Sequence, residues 1–278
     1  MSVKPIVTVV TVCYNAEKLI ENVIKSVLSQ TFTDFEYIIK DGGSTDQTND
    51  IIRSYQETFE NKGIKLTHIS QRDRGLYDAM NIAVQNSCGE WINFMNADDC
   101  FYDKDVLKNI FGKQRFESSD LLYGDALECE FGDYYYYKKC PELIERRMPF
   151  NHQTVFARRR VLLKYPFELK YKIGADYNFL LTAYKEGLVF TDVNQIVSVI
   201  AKEGVSTIRL KDTFLESIEI RRSHGIKQMS DEELKKALRF VKLKQFGMDY
   251  FPKWLKYLIR KLQRILRKQN QKVERHGY

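Results

Sequence analysis

Residues 6–13 read IVTVVTVC, β-branched and almost continuously apolar. Such a run predicts a strand covered on both faces. Leu19, Ile20, Val23, Ile24, Val27 and Leu28 then recur at helical spacing, with Asn15 placed to cap that helix. A second apolar run, Phe35 to Lys40, ends in Asp41-Gly42-Gly43-Ser44-Thr45-Asp46. Ile51, Ile52 and Tyr55 suggest the helix after it, with Ser44 and Thr45 as its caps. Lys65 to Ser70 reads as a third strand, Gly75 to Gln85 as a helix, and Trp91 to Met95 as a fourth strand ending in Asn96-Ala97-Asp98-Asp99. This rhythm of strand and helix predicts βαβ units and a mostly parallel sheet.

Beyond residue 120 the rhythm is lost. Leu121 to Ala126 and Tyr134 to Lys138 suggest strands, antiparallel to one another. The four tyrosines at 134–137 would alternate across a half-buried sheet edge. Asp176 to Tyr184 looks helical, and so does most of the chain from 211 onward. No internal repeat or linker stands out. In open α/β sheets, ligands bind at the carboxyl ends of the strands. Three polar clusters fall there: Tyr14-Asn15, Asp41 to Asp46, and Asn96 to Asp99.

Composition narrows the class. Of 278 residues, 44% are hydrophobic and only 14 are Gly and 5 Pro, so the chain is globular, not fibrous or low-complexity. The net charge of +7 invites a polyanion as partner. Its distribution redirects that reading. Residues 251–278 hold nine Lys or Arg and one Glu, leaving 35 basic and 36 acidic residues before them. The body is neutral and the tail carries the surplus. Five cysteines, at 13, 88, 100, 129 and 140, show no CxxC spacing and read as free thiols of a reducing compartment. No secretory signal opens the chain, and the longest uncharged stretch near its start, Pro5 to Ala16, is too short for the ~20 residues of a spanning helix.

Six segments in order carry a resemblance: VTVCYN at 10–15, KDGGSTDQT at 40–48, RDRGLYDAMNIAV at 72–84, FMNADD at 94–99, NHQTVFAR at 151–158 and GADYNFLL at 174–181. Together they resemble the family 2 glycosyltransferases of GT-A fold, in particular those that build bacterial surface polysaccharides and O-antigens. Two positions depart from the family pattern. Gly42 stands where a second Asp is common, and Asn96 replaces the first Asp of the aspartate motif. The likeness fades after about residue 200.

The resemblance implies a GT-A α/β domain over 1–225, a helical extension over 226–278, and an inverting, metal-dependent enzyme of hexosyltransferase type. Its donor would be a nucleotide-diphosphate sugar, with uridine as the nucleoside. Thr11, Val12, Cys13, Tyr14 and Asn15 would lie along base and ribose, and Asp41 would accept a hydrogen bond from the ring N–H of the base. Asp73 and Arg74 would border the diphosphate or sugar, with Asn81 and Asn96 contributing to the donor site. Asp99 would hold Mn²⁺ or Mg²⁺, and Asp98 the ribose or the metal. A divalent cation offsets charge developing on the leaving diphosphate and prefers carboxylate oxygens. Asp176, at a helix N-terminus that favours a carboxylate, would be the base. Asp125 and His152 are its rivals, and His152 with Gln153 could instead meet acceptor or diphosphate.

Other classes lack their marks. No G-x-G-x-x-G follows the first strand, and neither a Walker loop nor a G-x-S-x-G elbow occurs. The Q-x-x-R-W signature of processive synthases is missing, which favours addition of a single sugar. A sugar-nucleotide nucleotidyltransferase and an inactive nucleotide-binding scaffold remain the alternatives.

The tail has its own pattern. At ~100° per residue, Leu255, Leu258, Ile259, Leu262, Ile265 and Leu266 share one face, opposite Lys253, Lys256, Arg260, Lys261, Arg264, Arg267 and Lys268. Residues 250–268 therefore suit an anionic membrane interface, or packing on the chain itself or in an oligomer. Nucleic acid is not expected, since no binding module accompanies the charge. The expected location is cytoplasmic, peripheral at the inner face of the membrane. The acceptor would be a saccharide, carried or not on a polyprenyl diphosphate.

Overall fold

A computed structural model describes residues 4–130, 132–201 and 208–266. Its centre is one nine-stranded sheet. Four strands are parallel neighbours, in the order β3 (Leu66–Ser70), β2 (Phe35–Asp41), β1 (Val7–Cys13) and β4 (Trp91–Phe94). The order reverses at β1, which lies between β2 and β4. At such a point the carboxyl ends of neighbouring strands open a crevice.

On the far side of β4 the sheet turns mixed. β8 (Phe156–Arg158) runs antiparallel to β4 and to β6 (Leu121–Glu130). β6 is parallel to β9 (Phe190–Ala201), which carries the short antiparallel β5 (Cys100–Phe101). β7 (Asp133–Tyr137) pairs antiparallel with β6 alone, and its tyrosines form the half-buried edge expected of them.

The continuous apolar runs follow from burial on both faces. All seven residues of β2 are buried. Val7 and Val9 of β1 point into one core with α1 (Ile20–Leu28) and α5 (Val106–Phe111). Val10 and Val12 point into the other, with α4 (Leu76–Asn86), α6 (Arg159–Lys164) and α7 (Ala175–Lys185). Two helices, α2 (Thr48–Ser54) and α3 (Gln56–Asn61), link β2 to β3.

Helix starts differ from the capping expected. Leu19, not Asn15, occupies the cap of α1. Asn15 takes a left-handed φ of 47° and gives its side-chain oxygen to the Thr45 N–H at 3.0 Å. Its backbone N–H meets Ser44 Oγ at 2.7 Å. Asn15 thus ties two strand-end loops together. Likewise Gln47 precedes α2, because Ser44 is drawn back to Asp41 and Asp46 accepts the Thr48 N–H at 3.1 Å.

Three further helices follow: α8 (Leu210–Ser223), α9 (Asp231–Tyr250) and α10 (Lys253–Leu266). α8 packs on α7, and α9 on α8. α9 opens on a capping box made by Ser230 and Glu233. Phe240, Leu243, Phe246 and Tyr250 lie on its outer side, each more than half exposed.

Candidate active site

The parallel strands deliver three loops to one rim, and α7 and the turn at His152–Thr154 close it. The loop after β4 is the first component. Asp98 is exposed, whereas Asp99 is only 5% exposed. Asp99 accepts a hydrogen bond from Gln153 Nε2 and another from the Ala201 N–H at 3.2 Å. Burial, reinforced by the adjacent Asp98 charge, pushes the Asp99 carboxyl up to about 7. The side-chain oxygens of Asn96 and Gln153 are buried with no partner. This loop and the facing turn thus carry two carboxylates and two orphaned amide oxygens, the donor types a hard cation prefers. Among the described residues no three His, Cys, Asp or Glu side chains converge as a ligand cage. A cation here would therefore draw further oxygens from its substrate.

Beside this loop runs a chain of hydrogen bonds. Asn96 Nδ2 donates to His152 Nε2 at 3.0 Å, and His152 Nδ1 lies 3.2 Å from Asp176 Oδ2. With Nε2 accepting, the ring proton sits on Nδ1 and faces Asp176. The other Asp176 oxygen accepts from the Tyr177 N–H at 2.8 Å and lies 3.1 Å from Tyr77 Oη, whose single proton it shares with the nearer Ile173 carbonyl at 2.5 Å. Burial would lower the His152 pKa, but Asp176, with Asp99 and Asp98 behind it, holds it above its ordinary value. Burial and Asp176 keep the Tyr77 hydroxyl protonated. Asp176 is thus held through three donors, and Oδ2 retains a lone pair for a fourth.

Asp176 owes its place to α8. Glu216 accepts the backbone N–H groups of Lys172, Ile173 and Gly174, each at 2.9 Å, so it secures the turn that opens α7. At Gly174 the α8 side chain Ile220 packs close, since a Cβ there would lie 2.9 Å from Ile220 Cδ1.

The second component is the acidic loop after β2. Asp41 is wholly buried and receives five donors: the N–H groups of Gly43 and Ser44, the hydroxyls of Ser44 and Ser70, and Asn49 Nδ2. Burial raises its pKa, but these hydrogen bonds outweigh it and hold the carboxyl below its usual range. Asp41 organises the loop and leaves no free face toward a ligand.

Other expected residues divide. Tyr14 is 64% exposed at the rim. The Cys13 thiol, 4.0 Å from Asp41, is pushed up to about 12 by burial and that charge. Thr11 and Val12 belong to the core instead, and Thr11 is spent on Met95 O (2.7 Å) and Tyr37 Oη (2.8 Å). Asn81, expected at the donor, has both amide atoms on the Phe167 backbone, at 2.9 and 3.0 Å. Arg74 is exposed and forked onto Asp78. Asp73 sits at the rim, ion-paired to Lys40 at 2.7 Å. The rival base Asp125 lies on β6, held by Lys139 and Tyr136 and outside the chain of hydrogen bonds just described.

Sequence reasoning missed Tyr77, Lys40 and Glu216. Tyr77 had a signal, since it lies inside the RDRGLYDAMN segment. Lys40 had a weaker one, a lone cation closing an apolar strand. Glu216 had none, because its partners are 42–44 residues away.

The family model described as Glycosyl transferase family 2 matches residues 8–166. A PGL/p-HBAD biosynthesis glycosyltransferase of Mycobacterium bovis is 29% identical over 233 residues, covering 80% of this chain and 88% of that protein. The putative teichuronic acid biosynthesis glycosyltransferase TuaG of Bacillus subtilis is 36% identical over 96 residues, 34% of this chain and 37% of its own. Among solved structures, S. aureus TarS 1–349 with UDP-GlcNAc superposes at a TM-score of 0.62 and 21% identity, covering 87% of this chain and 72% of that one. The mannosyltransferase PcManGT of Pyrobaculum calidifontis, in complex with GDP-Man and Mn²⁺, gives 0.61 and 18%, covering 95% and 81%. At such identities the two structures establish a shared GT-A-type fold.

Proposed function

The chain belongs to glycosyl transferase family 2, and from that premise we propose that it adds a single sugar, with inversion, from a nucleotide-diphosphate donor to a saccharide or lipid-linked saccharide in surface-glycan synthesis. The observation that carries this is the placement of Asp176. It is fixed by His152, Tyr77 and its own helix, two hydrogen-bonded steps from the aspartate motif, through His152 to Asn96. An acceptor hydroxyl donating to the open lone pair of Asp176 Oδ2 would lose its proton there. Its oxygen would bond to the anomeric carbon as the bond to the leaving diphosphate breaks on the opposite face. His152 Nδ1–H and Tyr77 Oη–H orient the carboxylate. Arg74, which keeps donors beyond those given to Asp78, can meet phosphate oxygens. A divalent cation, when bound, would neutralise the departing diphosphate. Asp98 and Asp99 would hold it, with the exposed Asp98 outermost and Asn96 and Gln153 offering amide oxygens. Neighbours in fold that bind UDP-GlcNAc, or GDP-Man with Mn²⁺, support a nucleotide-sugar donor and a metal.

The test is a panel of nucleotide sugars with Mn²⁺ or Mg²⁺ and saccharide or lipid acceptors, scored for diphosphate release and the product's anomeric configuration. Asp176→Asn should lower kcat by about 10²–10⁴-fold, the usual contribution of a general base, with donor affinity kept. Full turnover by that variant, or no release from any donor, would overturn the reading.

We place the enzyme at the inner face of the cell membrane, docked through residues 250–268. Trp254, Leu258 and Leu262 are exposed on α10. Arg267 and Lys268 lie outside the described residues. Among the described residues no helix is long and apolar enough to cross a membrane.

A further inference from the structure

Helix α9 carries two apolar faces, and only one of them is used within the chain. At ~100° per residue, Leu234, Leu238, Val241 and Met248 point to one side and are half-buried where α9 lies on α8. On that side Gln245 Nε2 donates to Ile208 O at 2.8 Å. The inner face is therefore committed, and a roll of the helix would break it.

The outer face is not an ordinary solvated one. Phe240, Leu243, Phe246 and Tyr250 fall within about 60° of Leu243 on the helical wheel, and each is more than half exposed. The Phe246 and Tyr250 rings lie 4.7 Å apart between centroids, so the stripe is closed at its end by an aromatic pair. Lys236 and Arg239 stand among these side chains, and Lys235, Lys242 and Lys244 flank them, all five exposed. No Asp or Glu occurs from 234 to 248. An apolar patch rimmed by polar residues marks a surface that something covers.

Charge selects what covers it. A second copy across a twofold axis would set the patch against itself, five cations against five with no acid among them. A nucleic acid would take the cations and leave four large apolar side chains in water. An anionic lipid surface meets both, with the rings at the headgroup boundary and the cations on lipid phosphates.

We infer that the outer face of α9 is a second membrane-contact surface, lying in the interface plane of an anionic bilayer. The inference rests on the membrane docking proposed above and deepens it. The tail supplies most of the attachment, and α9 adds to it without replacing it, since four side chains bury little area. What α9 contributes is orientation. It is seated on α8, and α8 holds the turn before Asp176 through Glu216.

Partitioning of the full chain onto vesicles of mixed phosphatidylcholine and phosphatidylglycerol tests this. Combined Phe240→Ser, Leu243→Ser and Phe246→Ser should weaken binding by at least about tenfold. Combined Lys236→Gln and Arg239→Gln should do so by about tenfold or more on these vesicles, with no change on pure phosphatidylcholine. Both variants should keep the wild-type melting temperature, because the altered side chains face away from α8. A conservative reporter accompanies them. With Trp254→Phe removing the tail indole and Trp91 buried, Phe240→Trp should shift its emission to the blue on vesicles and be quenched by lipids brominated in the acyl chain. Wild-type binding by both multiple variants, or reporter emission unmoved by vesicles, overturns the inference and leaves docking through the tail standing. A wild-type dimer that the serine variant splits also overturns it, in favour of a second copy. Failure of the unaltered full chain to bind these vesicles overturns both readings.

Discussion

Asn96 shows how much one atom can decide. The family pattern calls for a carboxylate there, and an amide stands instead. As a donor, Asn96 Nδ2 sets the His152 ring with its proton toward Asp176. Its oxygen is buried and unpartnered, and turning the amide over would present that oxygen to a protonated Nε2. One residue can thus serve either charge state of the ring. Asp99 supplies the pH dependence. Its folded pKa, about 7, is raised above the unfolded value, so the native state binds more protons between roughly pH 4 and 7. Stability from this group is therefore lost as pH rises through 7, and the raised pKa of His152 acts in the same direction. The melting temperature should fall from pH 6 to pH 8. Mn²⁺ should raise it more at pH 8, and Asp99→Asn should flatten both trends in a calorimetric scan.

Among the elements, the start of α7 depends on α8. The three N–H groups at 172–174 lie in the turn that ends at the cap of α7, and Glu216 satisfies them from another helix. Glu216→Ala should cost about 2 kcal/mol, the scale of hydrogen bonds to a charged acceptor, here lost from one exposed and two part-buried N–H groups. It should speed hydrogen exchange at 172–178 and lower kcat more than it raises the donor KM, because Asp176 is displaced while the donor loops are untouched. Unaltered exchange there would show that α7 holds its place without α8. The short elements teach a related lesson. Asn15 and Ser44 look like helix caps in one dimension, yet each is claimed by the neighbouring loop, because parallel strands bring their carboxyl ends together.

The whole molecule divides its tasks by charge. A neutral body carries the rim chemistry, and the basic surplus gathers at the end of the chain. Removing residues 249–278 should abolish sedimentation with anionic vesicles and leave transfer to a soluble acceptor within about twofold. Sedimentation that persists would remove the tail from membrane docking. The sequence by itself determined the parallel strands, since burial on both faces demands continuous apolar runs. It also fixed the loops that carry polar groups, the family, and the amphipathic tail, all of them properties of local pattern. Only the tertiary structure decided which polar residues face the rim. Thr11, Asn81 and Asp41 read alike as ligand-binding residues in the sequence, and the structure gives each a partner from a distant segment, Tyr37, Phe167 and Ser70. Tyr77, Lys40 and Glu216 gain meaning only once distant segments meet. A hydrogen bond needs its partner within about 3 Å, and no spacing along a chain states which remote residue will fill that distance.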